Sequence, residues 1–305
     1  MRIGLIGCGR WGKNHAKHLS ELACDFVGIA DPDTKTREVA DQHKVAYFQD
    51  PGALVDKIDS CVVVAPTNLH YMIVKDALSK GKHVFVEKPA AETPEEISDL
   101  IGLASERNLV LNTGYLFRFN PAVKELKKRL QEAGQIRYIE AKNVHEREAR
   151  RDSGVIINLG VHPLDTLLFL TEERPYGLVC MTTGSPGVEK AAILTLNYGS
   201  YIAIVETACE AHGLVEKGIK VVGEYATFEV DFLEQTLTKY VQGSQPYTWS
   251  PKEKEDLLRI ELQNFLDCCS SGNLRNIGRE DLITAKICDY ALQSARQRKW
   301  VSIYE

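Results

Sequence analysis

Gly7-Cys8-Gly9-Arg10-Trp11-Gly12 sets three glycines at G-x-G-x-x-G spacing directly after a short apolar run. That pattern suits a dinucleotide. Gly7 permits a tight turn, Gly9 lets a pyrophosphate approach backbone N–H groups, and Gly12 lets the following helix pack close to the strand. The helix N-terminus then stabilises phosphate charge. Arg10 and Trp11, inside the turn, join the cofactor-lining set. Asp31 stands nineteen residues beyond Gly12, at the end of a second apolar run. A carboxylate there accepts hydrogen bonds from ribose hydroxyls and repels a 2′-phosphate, which predicts NAD rather than NADP. The alternative is a glycine-rich turn with a helix-capping aspartate. Strand, glycines and acid standing in register argue against it.

Two further segments fall at the carboxyl ends of expected parallel strands, where such folds bind ligands. Ala65-Pro66-Thr67-Asn68-Leu69-His70 follows one apolar run and Glu87-Lys88-Pro89 another. Pro89 lacks an N–H and ends its strand, so Lys88 is held at the cleft. A desolvated lysine there can exchange a proton with a substrate hydroxyl. An ordinary solvated turn lysine is the other reading, and the local sequence leaves both open.

In the second half, Asn158-Leu159-Gly160-Val161-His162-Pro163-Leu164-Asp165 opens a helix. Asn158 and His162 are four apart and Asp165 three further on, a spacing that puts them on one helical face. A lone histidine on such a face is as a rule a hydrogen-bonded structural residue, and spacing alone does not choose between that role and catalysis.

These residues need a scaffold. Strand and helix alternate through the first third. Arg2–Ile6, Phe26–Ala30, Val45–Phe48, Cys61–Ala65, His83–Val86 and Leu109–Asn112 read as strands. Trp11–Leu22 reads as a helix, Thr93-Pro94-Glu95-Glu96 is a capping box opening another, and Asn120-Pro121 begins a third. The alternation predicts βαβ units and an open, doubly wound parallel sheet. After about Asn120, residues 136–145, 177–183, 189–196, 200–208, 217–230 and 234–241 read as strands, with Tyr198-Gly199-Ser200 as a hairpin turn and His162–Leu170 as a lone helix. Ser250-Pro251-Lys252-Glu253 reads as a capping box before a helix carrying Leu258, Leu262, Phe265 and Leu266. A last helix spans about Glu280–Gln297. The chain is therefore α/β: a Rossmann domain over 1–120, then an α+β domain over 121–305 with a large, mostly antiparallel open sheet.

Composition fits a globular pair of domains: 305 residues, 44% apolar and 26% charged. A net charge of -5 gives no electrostatic footprint for nucleic acid. No run of eighteen apolar residues predicts a membrane span. The eight cysteines form no C-x-x-C pair and sit mostly in apolar runs, which predicts reduced thiols in the cytoplasm and no bound metal.

Taken together, the residues resemble the Gfo/Idh/MocA family of oxidoreductases over essentially the full length. The resemblance rests on the glycine turn, Glu87-Lys88-Pro89, Gly114-Tyr115-Leu116-Phe117-Arg118-Phe119-Asn120-Pro121, Gly160-x-His162-x-x-Asp165, and Ser294-Ala295 before Trp300-Val301. It implies an NAD(H)-dependent oxidoreductase moving a hydride between nicotinamide and a secondary alcohol of a sugar, an inositol or a sugar nucleotide. It implies Lys88 as the acid/base residue and His162 as a second catalytic or substrate-orienting residue. Pro66, Thr67, Asn68, His70 and Glu87 would line the cofactor; Tyr115, Arg118, Asn158 and Asp165 would meet substrate. It also implies a homodimer or homotetramer built through the second-domain sheet.

Many members carry Asp where this chain has Asn158. An amide takes up no proton at neutral pH but still hydrogen-bonds a hydroxyl or acetamido group. Asn158 thus resembles the branch that oxidises carbon 3 of UDP-N-acetylhexosamines or their uronic acids. The alternatives are an inositol, aldose or other carbonyl-acting member, or an NAD-binding regulator without activity. Arg147, Arg150 and Arg151 suit a diphosphate or carboxylate, but the interleaved Glu146, Glu148 and Asp152 favour a solvated loop.

Overall fold

The computed structural model describes residues 1–148, 153–185, 187–272 and 278–303. Arg150 and Arg151 lie outside them. Met1–Leu116 and Asp256–Leu282 form one compact unit, and Phe117–Glu255 with Ile283–Glu305 form a second.

The first unit holds strands β1 (Arg2–Ile6), β2 (Asp25–Ala30), β3 (Ala46–Phe48), β4 (Ser60–Val63), β5 (His83–Glu87) and β6 (Leu111–Gly114). They form one sheet in the order β3-β2-β1-β4-β5-β6 with every pairing parallel. Helices α1 (Gly12–Glu21), α2 (Arg37–Gln42), α3 (Pro51–Val55), α4 (Thr67–Ser79) and α5 (Pro94–Glu106) make the crossovers. β1 and β4 are apolar on both faces because helices cover both. Strand order reverses between β1 and β4, the place where an open α/β sheet leaves a ligand crevice. The capping box of α5 is formed: Glu96 N donates to Thr93 Oγ1 at 3.2 Å and Thr93 N to Glu96 Oε2 at 3.3 Å.

The second unit begins with α6 (Pro121–Arg129), whose start is capped by the Asn120 side chain accepting from Ala122 N. Then come β7 (Ile136–Val144), α7 (Val161–Thr171), β8 (Gly177–Ser185), β9 (Val188–Asn197), β10 (Ile202–Ala208), β11 (Glu216–Gly223), β12 (Thr227–Asp231), β13 (Thr236–Tyr240), β14 (Tyr247–Trp249) and, near the end of the chain, β15 (Val301–Ser302). Nine strands pair in the order β14-β13-β12-β11-β7-β10-β9-β8-β15. β7 and β10 run parallel and the other neighbours antiparallel. The Tyr198-Gly199-Ser200 turn is a hairpin, with Gly199 at φ +81° and Tyr198 N bonded to Tyr201 O.

Three local readings change. The 217–230 run is two strands, because Gly223 N bonds Ala226 O and reverses the chain. The segment before α7 is a π-helix over Ile156–Gly160. The capping box at Ser250–Glu253 does not form. Glu255 is instead bound on both backbone groups by the Gln235 side chain, at 2.8 Å each, and Asp256 caps helix α8 (Leu257–Ser271) by accepting from Arg259 N. A final helix, α9, spans Gly278–Gln297. The apolar face of α8 enters the core of the first unit, where Phe265 meets Phe85 at 5.9 Å beside Ile3, Leu5 and Leu19. By packing, therefore, this helix belongs with the N-terminal sheet, although it follows the second sheet in the chain.

Candidate active site

In the first unit the glycine turn joins β1 to α1. Gly7 has φ +91°, and a Cβ on it would stand 2.6 Å from Ala65 N, so only glycine fits. A Cβ on Gly12 would stand 2.3 Å from Gly7 O, which is the close helix–strand approach expected. A Cβ on Gly9 would meet nothing within 4 Å, so protein packing does not demand glycine there. The open space fits backbone left bare for a ligand.

Beside this turn lies a cavity of about 380 Å³ lined by Gly9, Arg10, Lys13, Asp31, Asp33 and Lys35 among others. Asp31 closes it. Its Oδ2 accepts from Cys8 N at 2.6 Å and its Oδ1 from Asp33 N at 2.8 Å. Three cations suit phosphate charge and two carboxylates suit ribose hydroxyls, so the residues fit a dinucleotide. Lys13, Asp33 and Lys35 escaped the sequence reading; Lys13 is signalled only by its place in the first turn of α1. Burial, with the Asp31 charge, pushes the Cys8 thiol up to about 11, which keeps it inert.

At the carboxyl end of β5, Glu87 accepts from Trp11 Nε1 at 2.6 Å and from His15 Nε2 at 2.9 Å. Burial alone would raise this carboxyl, but the His15 bond and charge, the Trp11 N–H and the Lys88 charge outweigh it and hold it below the usual range. His15 is fully buried and lies four residues past Trp11 on α1, a spacing that the sequence reading passed over. Lys88 N lies 3.3 Å from Glu87 Oε2, and the Lys88–Pro89 bond is cis.

On the other side of Lys88, buried His70 reaches Pro89 O at 2.8 Å through Nδ1 and Ala65 O at 2.7 Å through Nε2. His70 thus ties the 65–70 loop to the Lys88 turn. Pro66 and Thr67 open α4, and Asn68 is exposed on its first turn. Tyr115, expected at the substrate, is buried, with its hydroxyl donating to Asp281 of α9; Thr113 Oγ1 shares that carboxylate at 3.0 Å. This assigns Tyr115 to the interior of the first unit.

In the second unit, Asn158 lies on the π-helix and His162 on the first turn of α7; both are half-buried. The π-turn shifts Asn158 from the simple i, i+4 relation to His162. Asn143 of β7, which the sequence reading missed, donates through Nδ2 to Leu159 O at 2.9 Å and secures that turn. The His162 ring stands edge-on to Phe117 at 5.4 Å, and Phe117 packs on Phe232 at 4.6 Å. Arg118 and Asp165, expected at the substrate, face each other instead. Nε of Arg118 donates to Oδ2 at 2.7 Å, and Nη2 to Oδ1 completes a bidentate, buried pair. Their geometry braces α7 against the segment before α6.

An open parallel sheet with this glycine turn, carboxylate and cation-lined cavity, followed by a large second sheet, defines an NAD-binding oxidoreductase. Residues 1–115 match the profile described as oxidoreductase family, NAD-binding Rossmann fold, and residues 123–229 match the GFO/IDH/MocA C-terminal domain. The chain belongs to the GFO/IDH/MocA oxidoreductase family, as its resemblance implied.

Among its relatives, a UDP-N-acetylglucosamine 3-dehydrogenase of Acidithiobacillus ferrooxidans is 30% identical over 285 residues, covering 89% of each chain. A solved structure of that enzyme superposes with a TM-score of 0.89 over 97% of this chain and 98% of its own, at 26% identity. An inositol 2-dehydrogenase of Rhizobium meliloti is 24% identical over 99% of both chains. Among the described residues no helix is long and apolar enough to cross a membrane.

Proposed function

We propose that this protein is an NAD-dependent dehydrogenase acting on a secondary alcohol of a sugar nucleotide, with carbon 3 of a UDP-N-acetylhexosamine or its uronic acid as the reacting position. The observation that carries the reading is Lys88 at the carboxyl end of β5, in a dinucleotide fold, with both chain neighbours anchored: Glu87 to Trp11 and His15, and Pro89 to His70. When bound, nicotinamide supplies the two-electron chemistry. The Lys88 amine takes the hydroxyl proton on oxidation and returns it on reduction. His162 hydrogen-bonds the reacting oxygen or its neighbour, and the Asn158 amide orients the sugar or its acetamido group. Arg10 and the backbone at Gly9 hold phosphates, and Asp31 holds the ribose in preference to a 2′-phosphate. The relative acting on UDP-N-acetylglucosamine supports the substrate.

An inositol or aldose substrate is the second reading, supported by the inositol dehydrogenase relative. A regulator that binds NAD without turnover is less well supported, because both Lys88 and His162 are present. We also infer a homo-oligomer built on the outer face of the nine-stranded sheet, where Tyr138, Met181, Ile193 and Ile202 lie exposed. A cytoplasmic site suits eight cysteines with no disulfide among them.

The test mixes purified protein and NAD with UDP-N-acetylglucosamine, its uronic acid, myo-inositol and free sugars, and follows reduced nicotinamide by absorbance. Signal with the UDP-sugars is expected; signal with inositol alone moves the substrate, and silence with all of them favours the regulator. Lys88→Ala should lower turnover about 100-fold or more while NAD still binds. Unchanged turnover removes Lys88 from the mechanism.

A further inference from the structure

Strand phase separates the lysines of the second unit into two environments. Lys142 and Lys220 point to the outer face of the sheet, and each reaches glutamates there: Lys142 with Glu140 and Glu206, Lys220 with Glu140 and Glu229. Lys217 has the opposite phase. It pairs in register with Asn143, just as Ile219 pairs with Ala141, and opposed residues of an antiparallel pair share a face. Asn143, Ile219 and Ala141 are all buried on the inner face. Lys217 therefore projects with them, at the end of the sheet where Asn143 secures the turn bearing Asn158.

The same end carries the His162 surroundings. Lys217 O accepts from Phe232 N at 2.9 Å, Phe232 packs on Phe117, and Phe117 meets His162. Lys217 is only partly accessible, and among the described residues it forms no ion pair. The charge that acts on it is a like one. Burial lowers the Lys217 pKa, and the Arg147 guanidinium lowers it further. An inward cation without a carboxylate, beside a second cation, is destabilised until an anion arrives.

We propose that Lys217 is an anion-binding residue of the substrate region, taking the diphosphate or carboxylate of a charged sugar substrate. Arg147, on the loop after β7, adds field at the same place. Arg147 thereby gains a role that the neighbouring acids Glu146 and Glu148 concealed in the sequence. This inference rests on the reading of the second unit as the sugar-binding part. It narrows that reading to anionic sugars, because a neutral polyol leaves Lys217 uncompensated.

The test reads binding rather than turnover, so it stands apart from the fate of Lys88. Calorimetry on the full chain with NAD present measures UDP, which offers only a diphosphate, D-glucuronate, which offers only a carboxylate, and neutral D-glucose. The native protein should bind one anion at least about tenfold more tightly than glucose. Lys217→Met, which keeps length and loses charge, should erase that margin, and Lys217→Arg should keep it within about threefold. Loss for UDP alone assigns the diphosphate; loss for glucuronate alone assigns the carboxylate. Equal native affinity for all three probes overturns the inference without any variant, as does unchanged anion affinity in Lys217→Met. If the anion binds through Lys217 and no UDP-sugar is turned over, the subsite stands and the proposed reaction falls.

Discussion

Trp11 Nε1 donates a 2.6 Å hydrogen bond to Glu87 Oε1, joining the glycine turn to the residue that precedes Lys88. His15, one helical turn further along α1, binds the same oxygen from the core side. Whatever moves the glycine turn therefore moves the base of the lysine. Glu87→Ala should reduce kcat about tenfold with NADH affinity changed much less, since it frees the turn without touching the phosphate cradle. Glu87→Gln keeps an oxygen for the indole and should recover a substantial part. Steady-state kinetics with an NADH fluorescence titration checks both. Equal losses in the two variants would assign the effect to the carboxylate charge instead of the hydrogen bonds.

The glycines divide the same way. Gly9→Ala meets no protein atom within 4 Å, so thermal unfolding should be unchanged while NADH affinity falls about tenfold or more, the added methyl standing where phosphate approaches. Gly7→Ala has the opposite signature. Its φ of +91° and the 2.6 Å approach to Ala65 N should cost roughly 1–3 kcal/mol of stability. Paired melting and binding curves separate the two. A lowered melting temperature in Gly9→Ala would contradict the open space at that position.

Much of this arrangement is legible in the residues. Glycine spacing, Asp31 at a strand end, and Glu87-Lys88-Pro89 after an apolar run are local signals, and local signals survive folding. What escaped was long-range. No local pattern tells Glu87 to accept from Trp11, 76 positions away, or gives Asp281 to Tyr115 and Thr113 across more than 160. Arg118 and Asp165 look like binding residues by type, yet their pairing is a tertiary fact. The π-turn at Ile156–Gly160 defeated an i, i+4 argument that assumed an ordinary helix. The start of α8 was misplaced because Gln235, far back in the chain, holds Glu255 extended. Lys217, like Lys13 and His15, does carry a local signal: its alternation with Ile219 and Val221 puts it on the core face.

Arg118 and Asp165 supply a stability prediction. A bidentate pair this deeply buried leaves an uncompensated charge when one partner is lost, so Arg118→Met should destabilise the fold by about 3–5 kcal/mol. Adding Asp165→Leu to that variant should recover a large share, because the stranded carboxylate goes with it. Denaturant melts of the native protein, the two single variants and the double variant close the cycle. A double variant as weak as the sum of the singles would mean that the pair does not act as a unit.

Between neutral and mildly acid pH, the histidines of the first unit should govern stability. Burial lowers the pKa of His18, His70 and His83 from the ordinary 6.5. Nearby groups pull the other way without prevailing: Asp256 and Glu21 at His18, the Pro89 and Ala65 carbonyls at His70, and Asp59 at His83. A depressed value means that the unfolded chain binds protons below pH 6.5 that the folded chain still refuses. Their contribution is therefore complete above that pH and is lost as pH falls through the folded values. The carboxylates Asp59 and Glu132 titrate outside this window. Hydrogen bonds from Arg2 to Asp59, and from Arg129 and Lys239 to Glu132, hold those two at about 2, so their contributions change only below about pH 4.5. Melting temperature should accordingly fall from pH 7.5 to pH 5. His83 provides the control. Its Nδ1 accepts from Val110 N at 3.0 Å, a bond that protonation of that nitrogen removes. His83→Gln retains an acceptor and cannot titrate, so its melting temperature should depend less steeply on pH. A native profile that is flat or rises toward pH 5 would contradict the lowered values of these three rings.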